Sequence, residues 1–174
     1  CLEGGRVEES LAEVAAEPGA TGPVLLSQEL EATVAACTSR SSACGGAIQA
    51  CGVDGAVKLA ASRAIGRSLL ALLTLEAVGW AGSTGDVVIG FELVSDGRGC
   101  ITWSCGGGTA RSVEEEITTS VALRAAMVLA SRAGGELQLD LAGGSHMRLV
   151  LPIVAGWCRA SAGRVSWRSE GHGS

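Results

Sequence analysis

The chain has 174 residues, of which 47% are hydrophobic and 18% charged, with a net charge of −5 at pH 7. That balance excludes a disordered chain and leaves enough apolar mass for one buried core. The acidic sign argues against nucleic acid as a partner, and no apolar run approaches the roughly 18 residues of a membrane span.

Residues 1–23 read as a helical tail plus a linker. Val7 to Ala16 is rich in Glu and Ala, and Pro18, Gly19, Gly22 and Pro23 break it. The start at Cys1, with no Met and no secretory pattern, reads as a fragment of something larger. Val24–Leu26 is a short apolar run. Ser27 then caps a helix to about Ser41, with Glu29 and Glu31 suiting its first-turn dipole and Leu30, Val34 and Cys37 forming its apolar face.

Two short strands are expected around Ala47–Cys51 and Ala56–Ala60, with a turn at Val53–Gly55. A long helix follows from Ser62 to about Trp80. Ile65, Leu69, Leu72, Leu73, Glu76 and Trp80 fall on one face, with Arg63, Arg67 and Thr74 away from it. The period then changes to two. Val87, Ile89, Phe91 and Leu93 mark a strand over 86–94, and Ser95–Gly99 turns it into Cys100–Ser104, with Ile101 and Trp103 on one face.

Gly106–Gly108 open a loop in which Glu114–Glu116 form a solvated stretch or a helix start. A second core helix spans about Thr119–Ala133, with Ser120, Arg124 and Ser131 on its polar strip, and Gly134-Gly135 caps it. Leu137, Leu139 and Leu141 pair with Met147, Leu149, Leu151 and Ile153 in a last hairpin. Residues 155–174 read as a loose tail.

The seven cysteines are Cys1, Cys37, Cys44, Cys51, Cys100, Cys105 and Cys158. The odd number and the lack of a CxxC pair favour buried reduced thiols in a cytoplasmic protein over a zinc site. Elements and alternation together predict an α+β fold. It is a two-layer sandwich with three helices on one face of a mixed, mostly antiparallel sheet of five or more strands. Residues 24–154 form the domain.

This order of elements, with these residues, resembles the ATP-binding catalytic domain of sensor histidine kinases, a Bergerat-like ATPase fold. LEGGRVE at Leu2–Glu8 is similar to the end of that family's dimerisation hairpin. VLLSQELEATVAAC resembles its first strand and helix, and Ser62–Ala81 its N-box helix. GDVVIGFELVSDGRGCITWSCGGG resembles the central hairpin running into the D-box, and Ser120–Ile153 the helix and hairpin after the G-box.

The resemblance implies site positions, and most carry altered chemistry. Leu72 and Glu76 match the N-box residues that hold magnesium and phosphate. Leu72 cannot ligate a cation, whereas the Glu76 carboxylate is a candidate metal ligand. Cys105 matches the Asp that accepts from the adenine amino group, and a thiol is a poor acceptor. Gly107 keeps a matching glycine. Thr118, Ser120 and Ala122 match glycines of the phosphate loop, where a Cβ crowds the approach of phosphate. Gly79 matches a basic residue. His146 and His172 do not suit a phosphoacceptor, which in the family lies on the upstream hairpin.

The resemblance therefore implies the catalytic-like domain of a two-component kinase or phosphorelay protein with a degenerate nucleotide pocket. It would bind no cofactor and would dock a response-regulator receiver domain or a kinase partner. Homodimerisation would run through an upstream hairpin. The alternative is an active protein-histidine kinase with divergent boxes that uses Mg-ATP. An anti-sigma-type serine kinase suits the LEGGRVE start less well.

Overall fold

The computed structural model describes residues 23–44, 46–51, 57–82, 85–94, 97–106, 112–141 and 145–154. The expected tails and the turn at Val53–Gly55 lie outside them, save for Pro23. The elements run β1 (Val24–Leu25), α1 (Leu26–Cys44), β2 (Ile48–Cys51), β3 (Lys58–Leu59) and α2 (Arg63–Ala81). They continue as β4 (Val87–Val94), β5 (Arg98–Cys105), α3 (Val113–Thr119), α4 (Val121–Arg132), β6 (Glu136–Asp140) and β7 (Ser145–Pro152).

Five strands form a mixed sheet in the order β2-β4-β5-β7-β6, with β2 parallel to β4 and every other pair antiparallel. β1 and β3 make a small antiparallel pair beside it, bridged to the main sheet through Leu59 and Ile153. Period-two alternation sends one set of side chains to a single face. Val87, Ile89, Ile101, Trp103, Met147, Leu149 and Leu151 are all buried there. The helices cover that face, with α2 in the middle packing against α1, α4 and strands β4, β5 and β7.

α2 buries Gly66, Leu69, Leu70, Leu73, Thr74, Ala77, Val78 and Ala81. This face is rotated from the expected one. Thr74, expected away from the core, is fully buried, and its Oγ1 accepts from Trp103 Nε1 at 3.0 Å. Leu72, Glu76 and Trp80 are half-buried at the margin. Gly66 lets β1 approach, because a Cβ there would lie 2.7 Å from Val24 Cγ2. By length and composition alone α2 could cross a membrane, with 19 residues and a mean hydropathy of 1.3. Here it is the central helix of the core.

α1 starts one residue before Ser27, so Ser27 is not its cap. The Leu26 N–H instead donates to the Val57 carbonyl at 3.0 Å, continuing the contact made by β1. Glu29 in its first turn is only 3% exposed. It accepts from Arg63 Nε at 2.7 Å and Arg67 Nε at 2.9 Å, which ties α1 to α2. Burial raises the pKa of its carboxyl, but the hydrogen bonds and charges of Arg67 and Arg63 outweigh that and hold it below the ordinary value.

The region expected as a loop followed by one helix from Thr119 is instead two helices. α3 occupies 113–119, and Ser120 breaks the run with extended backbone. The Ser120 N–H still donates to the Glu116 carbonyl, while its hydroxyl caps α4 by accepting from Leu123 N at 3.1 Å. α4 ends as expected. Gly134 has φ of 72°, its N–H donates to the Ser131 carbonyl, and Gly135 N–H reaches the Ala130 carbonyl at 2.9 Å.

Candidate functional site

The positions singled out by resemblance lie on three elements: the end of β5, one side of α2, and the junction of α3 with α4. β5 ends at Cys105, which pairs with Val87 on one side and Ser145 on the other. Beyond it, the Gly106 N–H donates to the Asp86 carbonyl at 3.0 Å. Asp86 Oδ1 in turn accepts from Ala47 N at 3.0 Å, pinning the entrances of β2 and β4 together.

The Cys105 side chain is turned into the protein. It is 7% exposed, and its Sγ donates to the Ala77 carbonyl of α2 at 3.3 Å. Burial pushes the thiol up to about 11, so it is neutral across the physiological range. A neutral thiol that donates inward is at best a weak acceptor for any other group. Cys105 thus acts as a small core residue.

Leu72 and Glu76 lie one turn apart on α2, both half-buried. Leu72 packs against the core cluster. Among the described residues no group of three or more His, Cys, Asp or Glu side chains gathers as a metal site. Gly79, at the position of the family's basic residue, is exposed and supplies no charge.

At the positions matched to the phosphate loop by resemblance, Thr118 and Ser120 already have hydrogen-bond partners. Thr118 is exposed, and its hydroxyl donates to the Glu114 carbonyl at 2.7 Å. Ser120 is occupied as the α4 cap, and Arg124 Nη1 donates to the Thr118 carbonyl. Ala122 is half-buried in the first turn of α4. Gly107 lies outside the described residues.

One feature of α2 escaped the sequence reading. The indole Nε1 of Trp80 is buried with no acceptor among the described residues. Its placement one turn after Glu76 was legible, but the burial of that atom depends on packing that no local pattern records. His146 sits on the opposite sheet face, with Nδ1 3.0 Å from Ser104 Oγ, and His172 lies outside the described residues. Cys51, Cys100 and Cys105 are reduced thiols.

No protein-family model matches the sequence, and no curated protein matches it. Solved structures do. The Acinetobacter baumannii histidine kinase AdeS aligns with a TM-score of 0.68 at 14% identity, over 84% of this chain and 75% of that one. A mycobacterial sensor histidine kinase, MprB, aligns with a TM-score of 0.63 at 13% identity, over 76% of this chain and 97% of that one. Full-length ShkA, solved with AMPPNP, aligns with a TM-score of 0.66 at 18% identity, over 85% of this chain and 35% of that one. At such identities the fold is what is shared. The chain has the α+β fold of the catalytic domains of sensor histidine kinases.

Proposed function

We propose that this domain is a two-component signalling module whose nucleotide pocket is degenerate. It works in the cytoplasm by docking a response-regulator receiver domain or a kinase partner rather than by transferring phosphate from ATP. The observation that carries this reading is Cys105. The residue at the adenine-acceptor position donates inward to Ala77 and is nearly closed to solvent. Leu72 in place of a polar magnesium-side residue supports it, as does Ser120, already spent as a helix cap. Each missing polar contact costs a ligand on the order of 1–3 kcal/mol, and several are missing together.

The second reading is an active protein-histidine kinase using Mg-ATP, with Glu76 as its metal ligand. The half-buried carboxylate on the α2 margin favours it. The two readings part in a thermal melt with 1 mM Mg-ATP. A ligand at 100 times its dissociation constant stabilises by about 2.7 kcal/mol, a shift of several degrees for a domain this size. The degenerate pocket gives no shift.

A further inference from the structure

α4 is apolar on two sides. Leu123, Ala126, Leu129 and Ala130 are buried in the core, as a helix of a two-layer fold requires. On the other side Val121, Met127 and Val128 stand 49%, 38% and 50% exposed. Helical spacing puts these three on one arc with Arg124, Ser131 and Arg132, all exposed. A lone exposed valine needs no explanation, but three apolar side chains on a single stripe mark a contact surface.

The charges around the stripe are segregated. α4 carries Arg124 and Arg132 and no acid, whereas α3 carries Glu114 and Glu115, both exposed, and no cation. Among the described residues no carboxylate pairs with either arginine, and no cation pairs with either of these two glutamates. Arg124 Nη1 donates instead to the Thr118 carbonyl at the end of α3, which joins the outer sides of the two helices into one surface. Along that surface run an acidic end, an apolar middle and a basic end.

Such a surface is complementary to itself. Turned end for end about a two-fold axis, it sets its acidic end against the basic end of the other copy and its apolar middle against the same residues. We infer that the outer side of α3 and α4 is an interface between two copies of this chain, centred between Val121 and Val128. Each Val121 then meets Val128 of the second copy, and Glu114 and Glu115 face the second copy's Arg132. A uniformly acidic partner would set like charge against Glu114 and Glu115, and a uniformly basic one would do the same to the arginines, so the charges favour a second copy. The interface goes beyond the nucleotide reading and stands whether or not ATP binds.

The test is sedimentation velocity of the full chain over about two decades of concentration, reaching ~1 mM. The variants are Glu115→Arg, Arg132→Glu, the two combined, and Val128→Asp. All three positions are exposed, so the fold should survive each change, and far-UV circular dichroism checks it. The interface predicts a concentration-dependent dimer in the parent. Each single charge reversal should weaken it about tenfold, because like charges then meet across the axis. The combined reversal should restore it, since the pair is then opposed in sign again. Val128→Asp should leave the chain monomeric throughout. A parent that stays monomeric, a dimer that Val128→Asp leaves intact, single reversals as tight as the parent, or a combined variant no tighter than the singles would overturn it.

Discussion

The thiol of Cys105 donates to the carbonyl of Ala77 across 3.3 Å, joining the last residue of β5 to the body of α2. Cys105 is thereby part of the core. Changing Cys105 to Asp places a carboxylate where the thiol is 7% exposed, beside a carbonyl that repels it. Burying that charge should cost about 2 kcal/mol or more. The variant should unfold at lower urea than the parent and should gain no Mg-ATP binding, since Leu72 and Ser120 still lack phosphate-side chemistry.

The same burial makes a prediction at high pH. The folded thiol ionises near 11, against an ordinary value of 9.0. Above pH 9.0 the unfolded chain releases this proton and the folded one holds it, so stability falls as pH rises through that window. Cys105→Ala should flatten the alkaline limb of the stability profile, as read by urea melts from pH 8 to 11. In the native parent, Cys105 should be alkylated far more slowly than in the unfolded chain at pH 8.

Thr74 and Trp103 form the polar pair at the centre of the core, both fully buried. Thr74→Val keeps the shape and leaves the indole N–H without its acceptor. The expected loss is about 1–3 kcal/mol, seen as a lower urea midpoint with an unchanged slope. Combining it with Trp103→Phe should cost less than the sum of the two single changes, because the orphaned donor is gone.

Glu29 predicts the acid side. Its folded carboxyl titrates below the ordinary 4.5. The clamp's contribution is present in full above the unfolded value and is lost as pH falls through the folded one. Glu29→Gln should destabilise by about 2 kcal/mol at pH 7, and the gap to the parent should close as pH drops below 4.5. Thermal melts at pH 7, 4 and 3 read this directly.

Much of the layer structure was legible because period is a local property. Ile89, Trp103, Met147 and Leu149 alternate, and Leu69 and Leu73 recur at helical spacing, so the sheet face and the central helix could be read from the chain. Thr74 could not. A threonine in an apolar stripe reads as polar until Trp103, 29 residues away, supplies its donor. Glu29 was placed for its dipole, and its partners 34 and 38 residues on were invisible. The break at Ser120 was missed because the residues on both sides favour a helix, and only the cap to Leu123 shows the restart. At the candidate site the substituted letters were readable at Leu72, Cys105 and Ser120. The inward turn of the Cys105 thiol and the buried indole of Trp80 required the packed structure.

The most direct test of the proposal that the pocket is degenerate is isothermal titration calorimetry of the full chain with Mg-ATP. A parent pocket of micromolar affinity that has lost its adenine acceptor and its phosphate-side contacts falls to roughly millimolar or weaker. The expected result is no saturable heat below about 1 mM Mg-ATP. A saturating isotherm with a dissociation constant in the low micromolar range, abolished by Glu76→Gln, would contradict the account and establish an active kinase pocket.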